Sequence, residues 1–488
     1  MPPDALNILV RIDPARARRW HAHALEILSA KGHRLRLELA YPRQEVPFVI
    51  RLLTMLERLL RPQSASQPGA EWQPTPTHGP SQGPCDLTVD LTSNRDAPPS
   101  SGRWLKVLYG GGTFEEACYL DLLNGAGSIA GFQDSAAPEA PRLARIAVRN
   151  PTMLSIGWDE ICERLTSFLV DAVQDVAEGR RVTGRLPIPR EARAWSVSDT
   201  LTALQARATT AIGRIAVRAA HWHVGWRHAA SDLIKDTLAM PKATWSRLPD
   251  DGQRYYADPF VMSQDGRTWV FLEEFPFATQ KGIISLLEFG PSGPQGTPKA
   301  LLEEPHHLSY PFVFRDQGQI WMLPEAHASR RLDLYRATRF PWDWEIAATL
   351  IDGAHISDAT IALHNGTYWM FGAVEGYGYS SWDSLQIWQA ENLLGPWTPL
   401  STRPVLIDAQ AARPAGALFN RNGALWRPAQ DCTTGYGSGL SLARIDQLND
   451  AGFSQSVQAV LRPSTLWPGS GLHTLSAEGG LEFIDGCR

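Results

Sequence analysis

The chain is poor in cysteine, in net charge and in long apolar runs, and each shortage closes off a class of protein. Its five cysteines (Cys85, Cys118, Cys162, Cys432, Cys487) stand far apart in 488 residues, with no CxxC pair. An odd, scattered set supports neither a disulfide framework nor a structural zinc site, and it suits a reducing compartment. Lys plus Arg number 46 against 51 Asp plus Glu, a net charge of −5, so the basic footprint of a nucleic-acid-coating protein is missing. No window offers about 18 uninterrupted apolar residues, and no transmembrane helix is expected. Met1-Pro2-Pro3-Asp4 shows no basic stretch leading into an apolar core, so no secretory leader is expected. The expected location is cytoplasmic, with peripheral membrane contact left open. No DxD-type acidic element for a nucleotide-bound metal is visible, and the expectation is a site with neither metal nor cofactor.

What is plentiful points elsewhere. Apolar residues make up 43% and charged residues 20%, the balance of a folded protein rather than a disordered or fibrous one. At roughly 100–200 residues per domain the length predicts two to four domains. The 18 tryptophans suggest broad packing surfaces or planar platforms for sugars and bases.

Residues 1–182 read as one α/β domain. Ile8-Leu9-Val10 is a short strand, Ala15 to Ala30 has helical spacing, Gly32 ends it, and Leu35, Leu37 and Leu39 alternate as a second strand. Val46 to Leu60 is a second helical pattern. Residues 62–84, rich in Pro, Ser, Gln and Gly, read as a disordered loop. Two strands (86–91 and 105–109) and two helices (113–123 and 158–176) complete the domain. Gly110-Gly111-Gly112 leaves two readings open, a phosphate cradle or a strand-to-helix turn. Residues 183–240 read as a helical linker. Within it Leu201 to Ala220 carries Arg207, Arg214 and Arg218 among apolar residues, a helix that either docks two domains or lies on a membrane surface.

From about residue 241 helical periodicity gives way to short β-rich runs broken by Asp-Gly or Asn-Gly, and a unit repeats. Asp258-Pro259-Phe260-Val261 leads through Asp265-Gly266 to Trp269-Val270-Phe271. Equivalent pieces follow from Tyr310, Asp358, Arg413 and, more weakly, Gly471. The copies start at 258, 310, 358, 413 and 471, a spacing of about fifty residues that fits a four-stranded blade. The fold expected for 241–488 is therefore an all-β five-bladed β-propeller, with Trp222-His223-Val224-Gly225 available as a ring-closing strand. A sandwich is the alternative architecture.

In a propeller the first strand of each blade lines the channel. Polar residues at the start of those strands then converge: Asp258, Tyr310, Asp358, Arg413 and His473. Two carboxylates and a guanidinium are costly to bury unless paired or used, so the set reads as a site. Tyr310 is the expected sugar contact, whereas Trp321, Trp369 and Trp426 on second strands read as blade packing. Gln430-Asp431 and Tyr436 lie just beyond the fourth hairpin, either at the channel mouth or in a self-contained turn.

The stretches YYADPFV (255–261), HLSYPFVF (307–314), WMLPE (321–325), LYRATRFPWDW (334–344), SDAT (357–360), ARPAG (412–416) and LWRPAQDC (425–432) carry a family likeness. Through them the second half resembles the domain at the N-terminus of plant glucosamine inositolphosphorylceramide transferases, also found in bacterial fusions to formyltransferase-like domains. The first half resembles, more weakly, the formyltransferase-like Rossmann domain of those fusions. Where that family places a catalytic His-rich turn this chain reads Leu108-Tyr109-Gly110-Gly111-Gly112, which implies that formyl transfer is lost or was never there.

A more distant resemblance is to five-bladed arabinanases and xylosidases. It implies a base or nucleophile at Asp258 and a tuning carboxylate at Asp358. In the fourth blade, where their acid would be, stands Arg413. An arginine cannot protonate a leaving alkoxide, but it can hold a leaving phosphate. The expectation is thus a glycosyltransferase that takes a nucleotide sugar or sugar phosphate and a glycan or glycolipid acceptor. Asp258, Asp358 and Glu325 are its catalytic candidates. Tyr310, His307, Arg413, Arg427, Gln430, Asp431, Tyr436 and His473 are its binding candidates. A non-catalytic glycan-binding propeller and a glycoside hydrolase using Glu325 as acid are the alternatives.

Overall fold

The structure is a computed structural model that describes residues 5–40, 46–61, 67–75, 85–96, 102–150, 153–188 and 221–487, apart from 230, 377, 465–466 and 468–470, plus isolated positions between 196 and 205. The chain divides into two compact units, Met1–Val217 with Tyr377–Tyr379, and Arg218–Gly376 with Ser380–Arg488.

The first unit is built on a six-stranded mixed sheet in the order β2-β1-β3-β4-β5-β6, with β1 Asn7–Ile12, β2 Arg34–Leu39, β3 Leu87–Asp90, β4 Arg103–Tyr109, β5 Ser128–Asp134 and β6 Arg142–Ile146. The first four strands run parallel and β5 and β6 antiparallel. The helices are α1 (Arg19–Ala30), α2 (Phe48–Leu59), α3 (Glu116–Leu123) and α4 (Leu154–Ala177). Trp20, Ala24 and Leu28, spaced by four, form the buried stripe of α1. The β5–β6 hairpin was not expected from the sequence. Gly131 shows why it lacks a strand signal: a Cβ there would lie 2.0 Å from the carbonyl of Arg142, so the strand carries a glycine where a β-former would clash.

Of three expectations for this half, one changes, one resolves to its turn reading and one is untested. Gln67 to Pro74, inside the stretch expected to be disordered, is placed, with the Gly69 amide donating to Asp159 (2.8 Å). The Gly110–Gly112 run is a tight turn that closes on Tyr109, its Gly110 and Gly112 amides spent on Ile129 and Tyr109. The helix expected at 201–220 falls outside the described residues except for 205.

The second unit is a ring of five antiparallel sheets. Their leading hairpins are Arg254–Gln264 with Arg267–Pro276, Ser309–Asp316 with Gln319–Glu325, His355–His364 with Thr367–Glu375, Phe419–Arg421 with Ala424–Asp431, and Leu475–Glu478 with Leu481–Cys487. All five turn through two residues of positive φ: Asp265-Gly266, Gln317-Gly318, Asn365-Gly366, Asn422-Gly423 and Gly479-Gly480. That backbone matches the twist of the flanking strands, which is why Asp-Gly and Asn-Gly marked the repeat. The fifth blade is completed from upstream. Trp222–His228 pairs antiparallel with Leu481–Cys487 and carries Ser246–Arg247 at its edge, closing the ring. The stretch 183–240 is therefore not wholly a helical linker: its last part supplies a propeller strand and one turn of helix, Ile234–Thr237. In the fourth blade Arg413 precedes the first strand, where only a single bridge joins Pro414 to Ala429.

Candidate active site

The site is shaped by a backbone device used three times. In blades one to three the first strand carries two residues opposite one of the second: Asp258-Pro259 opposite Leu272, Tyr310-Pro311 opposite Pro324, Asp358-Ala359 opposite Gly372. These are β-bulges at one register position, and the leading residue of each lies in the left-handed region, with φ of 49° at Asp258, 44° at Tyr310 and 54° at Asp358. A left-handed non-glycine residue costs of order 1–3 kcal/mol and persists where the surroundings enforce it. Pro259 and Pro311 need no ladder partner, which suits them to the bulge.

Asp258 is buried. One carboxylate oxygen accepts the Tyr310 amide (3.1 Å) and the other the Thr474 hydroxyl (2.8 Å). Its own amide donates to Asp485 (2.8 Å). The His473 Nε2 stands 3.9 Å from Asp258, while its Nδ1 is 2.7 Å from Asp485, and its ring stacks on Trp222 at 3.9 Å. Burial pushes the Asp258 carboxyl up to about 6; His473 opposes this, and Asp485 and Asp358 add to it. Burial works against a charge on His473, but Asp485 and Asp258 raise it above the ordinary imidazole value. Asp258, His473 and Asp485 lie close enough to hold a cation. However, Asp485 already accepts the amides of His473, Thr474 and Asp258, so its oxygens are committed to N–H donors. The donor set fits a hydrogen-bonded carboxylate–imidazole–carboxylate chain better than a metal site.

Asp358 is held from the other side of the channel. Its amide donates to Glu325 (3.0 Å), and one of its oxygens accepts both the Arg413 Nε and the Gln430 Nε2, each at 2.6 Å. Arg413 reaches on to Glu325 (3.6 Å) and to the Tyr436 hydroxyl (3.3 Å), lying over the Tyr436 ring. Burial pushes the Glu325 carboxyl well above its ordinary range, and the nearby Asp358 charge adds to this against the opposing pull of Arg413; the balance favours its protonated form. Arg413 stays charged: burial opposes it, but Asp358, Tyr436 and Glu325 more than compensate. The carbonyl oxygen of the Gln430 side chain is buried without a partner.

Sequence reasoning missed Glu273. Burial, then the charges of Asp258 and Glu325, raise its carboxyl well above the ordinary range, so it belongs to the same cluster. Its signal was available: Glu273, Glu325 and Gln430 each stand seven residues after the glycine of their blade's turn. His307 sits beside it, 3.4 Å from Glu273 and packed on Phe275. Half-buried aromatics flank the cluster, with Tyr255 stacked on Phe275 (4.9 Å) on one side and Tyr436 against Trp382 (5.4 Å) on the other.

Three expected binding residues do not serve as expected. Tyr310 is fully enclosed, its hydroxyl accepting the Gly416 amide (2.6 Å) and meeting Thr360 (3.1 Å), so its ring offers no face to a sugar. Arg427 is buried against the carbonyls of Ala411 and Ala412 (both 2.7 Å) and lies over Phe371; burial brings it down to about 10. Its two terminal nitrogens hold loops together, and its Nε is buried without a partner. Asp431 caps its own turn at Thr433 (2.9 Å) and pairs with Arg462 (2.7 Å), so of the Gln430-Asp431 pair only Gln430 joins the site. Trp321, Trp369 and Trp426 are buried between blades, as expected.

A five-bladed propeller with a buried acidic cluster at its channel defines the class. Residues 237–478 match the family described as "Glucosamine inositolphosphorylceramide transferase 1, N-terminal", and the propeller belongs to it. Glucosamine inositolphosphorylceramide transferase 1 of Oryza sativa subsp. japonica is 31% identical over 267 residues, covering 51% of this chain and 36% of that protein. Its Arabidopsis thaliana counterpart is 30% identical over 279 residues, covering 54% and 36%. The match thus spans about a third of those relatives' length. Among solved structures, a thermostable family-43 glycoside hydrolase aligns with a TM-score of 0.34 at 15% identity, covering 46% of this chain and 84% of that one. The family 117 glycoside hydrolase Zg3597 of Zobellia galactanivorans aligns with a TM-score of 0.35 at 10% identity, covering 55% and 90%.

Proposed function

We propose that the propeller is a glycosyltransferase module that moves a sugar from a phosphate-activated donor to a hydroxyl of a glycolipid acceptor. One observation carries the reading: Asp258, with a carboxyl raised to about 6, shares a buried cluster with Glu325, whose carboxyl is pushed well above the ordinary range. Two carboxyls pushed to different values make a base and an acid at neutral pH. Asp258 takes the proton of the acceptor hydroxyl as that oxygen bonds to the anomeric carbon. The bond from that carbon to the donor phosphate oxygen breaks, and its electron pair leaves with the phosphate. Arg413 and the Glu325 proton face that developing charge. Asp358, neutralised by Arg413, orients the sugar, and the unpartnered Gln430 oxygen is an acceptor for one of its hydroxyls. The names of the relatives, glucosamine inositolphosphorylceramide transferase, support this substrate class.

The test is thermal unfolding of the full chain with nucleotide sugars and sugar phosphates. A ligand at about 100 times its Kd adds about 2.7 kcal/mol, a clear rise in Tm. The rise is expected with at least one activated sugar and is expected to vanish in Arg413→Gln. A second reading, a glycan-binding module without turnover, is favoured by a match to about a third of the relatives' length, through a family described as N-terminal. It requires glycan binding that survives Asp258→Asn, with no response to any activated donor. Release of reducing sugar from an aryl glycoside without a donor identifies hydrolysis instead.

A further inference from the structure

Helix α2 of the first unit buries Ile50 yet leaves much of its apolar surface on the solvent side. Its inner side carries polar groups: Glu57 accepts the Leu154 and Ser155 amides at the start of α4 (3.3 and 2.7 Å), and Arg58 pairs with Asp159 (2.9 Å). Its outer side is apolar. Phe48 is 75% exposed, Met55 53%, Leu56 47% and Leu59 75%, and Leu60 just beyond is 84% exposed. An apolar cavity of about 530 Å³ opens at the same helix, lined by Val46, Phe48, Ile50, Met55 and Leu59, with Arg18 and Arg58 among its walls. A contiguous exposed apolar patch on a folded unit marks a contact surface.

The charge around the patch selects the partner. Residues 31–61 hold seven Lys or Arg against three Glu, a net charge of +4 in a chain whose total is −5. At the helix itself Arg51 is exposed, 3.5 Å from Glu71, and it lines the cavity together with Arg18 and Arg58. No helix among the described residues is long and apolar enough to cross a membrane. An apolar helix face bordered by cations suits the boundary between headgroups and acyl chains of an anionic bilayer. We propose that α2 docks the first unit on an anionic lipid surface, lying in its plane with Phe48, Met55, Leu59 and Leu60 inserted. This rests on the first unit alone and stands whether or not the propeller transfers sugars.

The experiment is co-sedimentation of the full chain with phosphatidylcholine vesicles, plain or containing a minority of phosphatidylglycerol. The wild type is expected to pellet with the anionic vesicles, less so at high salt, and weakly with the plain ones. The double variant Phe48→Glu with Leu59→Glu is expected to lose at least about tenfold in partition, since each residue withdrawn removes a fully buried apolar side chain. Leu60→Glu is a single-site check. Leu363→Glu, at an exposed apolar position of the propeller, is expected to bind as wild type. Unchanged thermal unfolding shows that the variants fold. Absence of wild-type pelleting, or equal pelleting by the double variant, overturns the proposal. So does a wild-type dimer in light scattering that the double variant splits, since the patch then joins two copies of the chain.

Discussion

Replacing Asp258 by Asn is expected to stabilise the protein while abolishing its chemistry. Burial has moved this carboxyl from 3.8 to about 6. A raised carboxyl binds its proton more tightly in the folded chain than in the unfolded one. Its favourable contribution is therefore complete below about pH 4 and is lost as pH rises through about 6. That rise corresponds to about 3 kcal/mol held against the folded state at neutral pH. Asparagine removes that penalty and keeps the contacts: its oxygen accepts the Tyr310 amide, and its amide group donates to the Thr474 hydroxyl, which turns to accept. It also tolerates the left-handed backbone at this position, where φ is 49°. Lost attraction to His473 offsets part of the gain, leaving about 1–3 kcal/mol at pH 7 and close to none at pH 4. At about 2–4 °C per kcal/mol this is a rise of several degrees in Tm, seen by thermal unfolding of both proteins at both pH values. Turnover of an activated sugar is expected to fall by about 10²–10⁴. A variant that melts below the wild type at pH 7, or differs from it equally at pH 4 and pH 7, would show that the carboxylate is a structural anion and not a poised base.

Glu325→Gln copies the protonated carboxyl in shape and hydrogen bonding. It is expected to leave Tm at pH 7 unchanged or higher while turnover drops about 10²-fold or more; a large loss of Tm at pH 7 would mean that Glu325 works as an anion. Arg413→Leu strands Asp358 and is expected to cost about 3–5 kcal/mol, much of it recovered when Asp358→Leu is added, as chemical denaturation of the two variants can measure. Tyr310→Phe removes the acceptor of the Gly416 amide and is expected to cost about 1–3 kcal/mol with ligand affinity intact. A selective loss of affinity in that variant would restore the tyrosine as a substrate contact.

The ring was legible because its turns demand particular residues. Asp-Gly and Asn-Gly supply the two positive φ values of a tight hairpin, so the blades announced themselves at a regular spacing. Asp258 and Asp358 followed from register alone. The errors came from treating residue type apart from strand parity. Gln430 and Arg427 are three apart in one strand, and Gln430 and Asp431 are neighbours, so the two charged residues face away from Gln430 and cannot share its side of the sheet. The same counting would have found Glu273. Tyr310 was illegible for another reason. It occupies the register of two carboxylates, and nothing local says that its ring is long enough to cross the channel and bury itself.

That crossing accounts for the electrostatics of the site. Tyr310 starts in blade two, packs edge-on against Phe260 of blade one at 4.8 Å, meets Thr360 of blade three and receives the amide of Gly416 ahead of blade four. A side chain tied to four blades, with no exposed surface, fills the channel beside Asp258 and Asp358. Water is thereby kept from the inner side of the carboxyls, and burial is the largest cause of the raised values at Asp258, Glu273 and Glu325. Five carboxyls face one arginine and two imidazoles here, and in a hydrated channel they would ionise and repel one another. Enclosed, Asp258, Glu273 and Glu325 are all raised, Asp258 to about 6 and the other two well above the ordinary range, the kind of spread that the proposed acid–base chemistry uses. The repeated bulge thus does two jobs with one backbone conformation: in blades one and three it presents an acid, and in blade two it presents the plug that sets how strongly those acids hold their protons.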